Sequence, residues 1–340
     1  MTSLRDAVER SWTGERGWKF AALLLLTAPL SWLWGAVTAW RNRRHDRRPA
    51  TPIEGIRVIS IGNLAVGGTG KTPVSGWVVD ALLRRGSRPG VVVSGYGEDE
   101  LLLHRRWHPD VPVFADRDRA SAVGRARAAG AEVAVLDDGF QHRSVARDLD
   151  VVLLAAEHPF PGHVMPRGPY REPPEVLRRA SAVVITRRTA DVDVARQLAR
   201  SVEQVAPGKV VAGVALLPGR WVDAGGHDVA PPSGPLLAVC AVARPRTFEA
   251  QLRAAVGEGT DIVLRGFPDH HDYSEADMRR IVAEAEQGRR TLVSTEKDGV
   301  KLARLAPTPP SMCVLCSRIH WDWGEDAFDQ LLDSAVEESE

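Results

Sequence analysis

The sequence predicts an α/β protein: a parallel-sheet domain, a second and smaller α/β domain behind it, and an apolar N-terminal helix in front. Three observations carry this. First, the short apolar runs Val58–Ile61, Val91–Val93, Val133–Leu136, Val151–Leu154 and Ala182–Ile185 alternate with helical patterns such as Thr72–Arg85 and Asp118–Ala129. Runs that are apolar throughout and joined by helices read as strands covered on both faces. Second, the rhythm breaks near Val210–Leu217, passes Gly219, Ala224-Gly225-Gly226 and Pro231–Pro235 as a turn-rich connector, and then resumes. Leu236–Val242, Thr291–Thr295 and Met312–Cys316 read as strands, and Pro245–Val256 and Ala327–Val336 as helices. Ser274-Glu275-Ala276-Asp277 has the form of a capping box. Third, Phe20–Trp40 is a run of 21 residues without a charge. The expected division is 1–50, 51–217 and 218–340.

Composition narrows the function. A chain of 340 residues has room for about two domains. With 44 basic and 44 acidic side chains it lacks the basic excess of a dedicated nucleic-acid binder, so no nucleic-acid partner is expected. Three cysteines cannot form a disulfide framework, and Cys313 and Cys316, though spaced as CxxC, sit in an apolar run with no second pair near. Of the basic residues, 39 are Arg and five are Lys: Lys19, Lys71, Lys209, Lys297 and Lys301. A compact ammonium and a planar guanidinium are not interchangeable, so the surviving lysines single themselves out.

As a helix, the uncharged run is about 31 Å long, enough to reach across a hydrocarbon core. Trp18, Trp32, Trp34 and Trp40 cluster around it, as interfacial aromatics do. Arg41, Arg43, Arg44, Arg47 and Arg48 follow at once, which favours the cytoplasmic side for the rest of the chain and opposes export as a signal peptide. Pro29 leaves two alternatives open, a full span and a helix embedded in one leaflet.

The sharpest chemical signal is Ile59–Pro73, ISIGNLAVGGTGKTP. A strand enters a Gly-rich turn and Gly70-Lys71-Thr72 opens a helix, the layout of a P-loop nucleotide-binding domain. Gly67, Gly68, Thr69, Gly70, Lys71 and Thr72 are the residues expected to cradle a nucleoside triphosphate. Backbone N–H groups face the phosphates, Lys71 reaches the β- and γ-phosphates, and the Thr72 hydroxyl is a magnesium ligand. Ala65 stands where the usual pattern has its first glycine. The second signal is Val133–His142, VAVLDDGFQH, in which Asp137 and Asp138 end a buried strand. Carboxylates at that place hold magnesium in P-loop enzymes, directly or through water.

At this point the chain resembles a known family. GNLAVGGTGKTP, LDDGFQH, Met165–Pro173 (MPRGPYREP), Phe267–Tyr273 (FPDHHDY) and Thr295–Asp298 (TEKD) stand in family order behind an N-terminal membrane helix, as in the tetraacyldisaccharide 4′-kinases, the lipid A 4′-kinases. The resemblance runs from about residue 15 to the C-terminus. It implies that ATP, with Mg2+, phosphorylates the 4′-hydroxyl of an acylated glucosamine disaccharide 1-phosphate in lipid A biosynthesis. The expected place is the cytoplasmic face of the inner membrane, with membrane lipid as a partner. It also implies a catalytic pair: the Asp of a Gly-Asp-Glu-Pro motif, matched in Ser94–Leu101 by Asp99, and the His of an Asp-His motif, matched by His270. Glu98 and Glu100 are the alternatives to Asp99, because the flanking Gly and Pro are replaced by Glu98 and Leu101. Carboxylate and imidazole orient one another for accepting a sugar hydroxyl proton. Arg167 and Arg171 are candidates for phosphate contacts.

The residues speak against two other classes. A P-loop GTPase serving as metallochaperone or targeting switch needs metal-ligand clusters and a guanine-reading motif, and neither is present in the sequence. A non-catalytic membrane adaptor is at odds with the intact Lys71-Thr72 and Asp137-Asp138. Thr295–Asp298 reads only as a nucleotide-side or domain-closing element.

Overall fold

The computed structural model describes Trp12 and residues 18–48, 50, 52–95, 98–305 and 311–337; in the first helix it describes side chains from residue 24 onward. Pro49, Thr51, Tyr96 and Gly97, and the side chains of Trp18, Lys19 and Phe20, lie outside the described residues, as do most of the first seventeen positions.

The described strands form one 12-stranded sheet, and the α/β reading holds. In chain order these are β1 Arg57–Asn63, β2 Pro89–Val93, β3 Val113–Ala115, β4 Val133–Asp137, β5 Leu149–Ala155, β6 Ala182–Arg187, β7 Val210–Val222, β8 Asp228–Val229, β9 Leu236–Cys240, β10 Ile262–Gly266, β11 Thr291–Thr295 and β12 Met312–Trp323. Their spatial order is β10-β9-β11-β12-β7-β6-β5-β1-β4-β2-β3, with β8 paired to β7 on the side. Every pairing is parallel except β12 with β7 and β8 with β7.

The helices are α1 Trp18–Arg47, α2 Lys71–Arg84, α3 Asp99–Trp107, α4 Arg119–Ala128, α5 Val192–Val205, α6 Pro245–Val256, α7 Glu275–Gln287, α8 Glu296–Leu302 and α9 Glu325–Val336. They cover both faces, which is why the central strands are apolar throughout. One side of the first half packs Ile59, Val79, Leu82, Val135 and Val151; the other packs Leu64, Phe140, Leu154, Ile185 and Leu198. In the second half Leu237, Met278, Ile281 and Val314 pack one face and Phe248, Leu252, Val293 and Leu315 the other.

The junction differs from the expected turn-rich connector. Position 217 lies inside β7, and Pro218 and Gly219 are strand residues. The first part of β7, from Val210 to Ala215, pairs with β6. Its last part, Pro218–Val222, pairs antiparallel with Val314–Ser317 of β12, whose first residues lie beside β11. The second half is therefore displaced along β7 and reversed in direction. Its strands point their C-terminal ends back toward the C-terminal ends of the first half. Ligands bind at such ends in open α/β sheets, and here two of these edges face one another.

α1 spans 30 residues and takes in the basic flank as well as the uncharged run. Ser31, Trp34, Thr38 and Asn42, spaced three and four apart, share one face. Ser31 Oγ donates to the Val164 carbonyl at 2.9 Å, Trp34 Nε1 to the Arg171 carbonyl at 2.8 Å, and Asn42 Nδ2 to Glu172 Oε2 at 2.6 Å. The other faces are bare: Leu26 is 76% exposed, Trp32 79% and Trp40 62%. Among the described residues no helix is long and apolar enough to cross a membrane. The described residues give the spanning alternative no support, and a polar stripe of α1 is committed to the protein, so the helix is not apolar all round.

Candidate active site

The Gly-rich loop leaves β1 and ends at Gly70, which caps α2 with φ +84°. A side chain at Gly70 would collide with Leu216, and only glycine adopts that φ freely. The loop is held from three sides. Asn63 Nδ2 donates to Thr69 Oγ1 at 2.8 Å, Thr186 Oγ1 to the Thr69 carbonyl at 2.9 Å, and Arg188 Nη1 to the Gly68 carbonyl at 2.7 Å. Lys71 and Thr72 open the 14-residue helix α2, whose first-turn N–H groups have no intrahelical acceptor and so face the loop's mouth. Pro73 is tolerated in that turn because its missing N–H is not needed.

Strand register brings the acidic pair to this mouth. β1 and β4 pair Ile61 with Asp137, and the Asp138 N–H donates to the Ile61 carbonyl at 2.9 Å. Asp138 has φ +63°, one of three non-glycine residues in the left-handed region among the described residues; His270, at +59°, is another. Strain of that kind collects where a side chain must be aimed. Asp138 Oδ1 lies 3.8 Å from Lys71 Nζ and 3.1 Å from Arg171 Nη1. Burial would raise the Asp138 carboxyl, but Lys71 and Arg171 hold it below the ordinary carboxylate range. Asp137 is fully buried, with Oδ2 3.2 Å from His104 Nε2, while its Oδ1 has no hydrogen-bond partner. An orphaned buried carboxylate oxygen beside a phosphate loop fits a divalent cation. No three His, Cys, Asp or Glu side chains among the described residues form a ready-made metal cluster. That suits magnesium, which takes few protein ligands and completes its shell with phosphate and water.

The second half supplies the facing wall. Asp99, the first residue of α3, is 1% exposed, and its Oδ2 lies 3.3 Å from His270 Nδ1 and 2.9 Å from Lys297 Nζ. Burial opposes its ionisation, but His270 and Lys297 hold the carboxyl well below the usual range. Glu98 is exposed and pairs with Arg304 on the rim. Glu100 turns inward instead, 8% exposed. Burial first, then the charge of Asp137, pushes its carboxyl up to about 7. Of the three acids, Asp99 alone meets His270. His271 is engaged elsewhere, stacked on Phe267 at 4.9 Å with Nε2 3.3 Å from Asp277 Oδ2. The backbone of Arg167 is tied to α1, its main-chain N–H donating to Ser31 Oγ at 2.9 Å.

Sequence reasoning missed His104, buried Arg119, whose Nη2 donates to the Asp137 carbonyl at 3.3 Å, and the part played by Lys297. The scarcity of lysine and the Thr295–Asp298 motif, read as a nucleotide-side or domain-closing element, pointed to the last without giving its partners. Cys316 belongs to the buried strand β12, and burial pushes its thiol up to about 12.

Comparison with known proteins now decides the relationship. The family model for tetraacyldisaccharide-1-P 4′-kinase matches residues 22–101 and 97–337. The chain belongs to that family. Among curated relatives, the tetraacyldisaccharide 4′-kinase of Anaeromyxobacter sp. (strain Fw109-5) is 36% identical, over 97% of each chain. That of Phenylobacterium zucineum (strain HLK1) is 38% identical, over 82% of this chain and 84% of the relative. A crystal structure of the "apo" form of LpxK from Aquifex aeolicus in complex with ATP shares the fold, with TM-score 0.72 and 24% identity, covering 93% of this chain and 100% of that one. The family's enzymes are kinases by name, and the resemblance seen in the motifs is the right one.

Proposed function

We propose that this chain transfers the γ-phosphoryl group of ATP to the 4′-hydroxyl of tetraacyldisaccharide 1-phosphate in lipid A biosynthesis, using Lys71, Asp99 and His270. The observation that carries the reading is the meeting of Asp99 and His270, from opposite halves, beside Glu100, which feels the charges of both Lys71 and Lys297. The 4′-oxygen attacks the γ-phosphorus, the bond from that phosphorus to the β,γ-bridging oxygen breaks, ADP leaves, and the hydroxyl proton passes to the Asp99–His270 pair. Gly67–Thr72 cradle the phosphates, and Lys71 neutralises charge that grows on the migrating group. Thr72, Asp137 and Asp138 would hold Mg2+, which supplies further charge neutralisation on the phosphates when bound. Arg171 keeps Asp138 aimed at the loop.

The two α/β halves act as P-loop domain and closing domain around this cleft. The bare face of α1 lies in the cytoplasmic leaflet of the inner membrane, and Arg41–Arg48 meet its anionic headgroups. An acceptor whose acyl chains stay in the bilayer is then presented to the cleft without leaving the membrane. Incubation of purified protein with radiolabelled ATP, Mg2+ and the disaccharide 1-phosphate tests the reading: label appears at the 4′-position, and its absence with active controls rejects it.

A further inference from the structure

Thr295–Asp298 has no part in the reaction above, yet all four of its side chains are engaged. Thr295 caps α8, accepting the Asp298 N–H at 3.1 Å and donating to Asp298 Oδ2 at 2.7 Å. Asp298 is fully buried; it accepts the Ala241 N–H at 3.0 Å and the Tyr273 hydroxyl at 3.2 Å. Those two residues bracket the His270 loop, and Lys301 donates to the His271 carbonyl at 2.8 Å. Glu296 accepts the Trp107 indole N–H at 2.9 Å and the Ser317 N–H at 3.0 Å, tying the end of α3 to β12. Lys297 crosses the cleft. Its Nζ lies 2.9 Å from Asp99 Oδ2 and 3.3 Å from His270 Nε2, closing a ring with the Asp99–His270 contact.

We propose that Lys297 is a positioning residue for phosphoryl transfer, holding the Asp99 carboxylate of one half and the His270 imidazole of the other as a single three-part unit. The proposal rests on the phosphoryl-transfer reading above. A buried carboxylate needs a counter-charge, and an imidazole supplies a full one only when protonated, whereas an ammonium supplies it at every working pH. An ammonium is also a donor only, so the nitrogen it meets on His270 is the acceptor, which leaves the imidazole proton on Nδ1, the nitrogen nearer Asp99. In a chain with 39 Arg and five Lys, this position keeps the compact cation. A planar fork would claim both carboxylate oxygens and displace the imidazole.

The charged groups around the unit are Asp99 and Glu100 on α3 and Asp269 and His270 on the loop, with Lys71 and Asp137 beyond Glu100. Burial alone would favour a neutral Lys297 amine, but the carboxylates of Asp99, Glu100 and Asp269 keep it protonated.

The test uses the full chain with Lys297→Met, Lys297→Gln and Lys297→Arg. Turnover is measured across pH, thermal melts verify folding, and the Asp99 carboxyl is titrated by 13C NMR without substrate, its signal assigned with Asp99→Asn. The two uncharged variants are expected to lower kcat at least about tenfold while KM for ATP stays within about twofold. The acid limb of kcat/KM and the Asp99 midpoint both move to higher pH; Lys297→Arg restores the charge and brings the Asp99 midpoint back toward wild type, while kcat stays low because the guanidinium displaces the imidazole. A folded uncharged variant with wild-type kcat, or with an unmoved Asp99 midpoint, overturns the proposal. The NMR arm needs no acceptor. If the midpoint moves as expected but wild type transfers nothing to the disaccharide, the substrate reading fails and the charge-holding unit stands.

Discussion

Asp99 Oδ2 and His270 Nδ1 lie 3.3 Å apart although they come from opposite halves of the chain. The contact exists because the second half is displaced and reversed along β7, so it reports cleft geometry as well as chemistry. Asp99→Ala and His270→Ala are each expected to lower kcat by about 10²–10⁴-fold. The double substitution should cost little more than either single one, as for residues acting as a unit. Steady-state kinetics of the four proteins measures this; penalties that multiply separate the two residues.

Lys71→Ala is expected to lower kcat by about 10²–10³-fold or more, the scale for losing one charge-stabilising group, with a near-native melting temperature. Its Nζ is 3.8 Å from Asp138 and only partly buried, so the fold does not depend on it. Near-normal turnover in a folded variant would remove the phosphate-loop assignment.

Much of this was legible in the residues. β1, β2, β4, β5 and β6 announce themselves as apolar runs because both their faces are buried, and the Gly-rich loop because its spacing has few other uses. β7 was not legible, since Pro218 and Gly219 are turn formers. They are tolerated where the strand has left β6 and keeps β12 alone, and Gly219 lies against the Cys316 carbonyl. β12 reads as a strand only to Cys316, because Ser317–Trp323 is mostly partly exposed and carries polar residues. Asp99 and His270 came from a motif match. Lys297 stood in a motif whose role the sequence left open, and His104 in none; their partners Asp99, His270 and Asp137 lie far off in the chain, which no local pattern encodes.

Glu100 gives a pH signature. Its folded carboxyl titrates at about 7, above the 4.5 of a free glutamate. The stabilisation that goes with a raised value is fully present below about pH 4.5 and is lost as pH rises to about 7. Glu100→Gln should therefore match wild type near pH 4 and be more stable by pH 8, by roughly 3 kcal/mol. Paired thermal melts in chelator across that range check the sign; a constant difference would refute the placement.

The exposed face of α1 is the last test. Leu26, Leu33 and Trp40 are all more than half exposed and touch no core. Changing all three to Ser should weaken binding to anionic vesicles by at least about a hundredfold, since each buried large apolar side chain contributes roughly 1.5–3 kcal/mol. Melting temperature should be unchanged. Vesicle flotation reads the result, and undiminished binding would assign attachment to another surface.

The shared strand pair β7 and β12 has a consequence for how this enzyme can be taken apart. A chain cut between 217 and 218 would leave each fragment with a severed ladder: β7 is split, and β12 loses its neighbour from Arg318 to Trp323. Unpaired apolar strand edges recruit other strands, so neither fragment is expected to stay monomeric in solution. For the same reason the cleft has no free tether to swing on. A change in cleft width would have to be carried as twist within a continuous sheet, which would tie the speed of substrate entry to the stiffness of two strands.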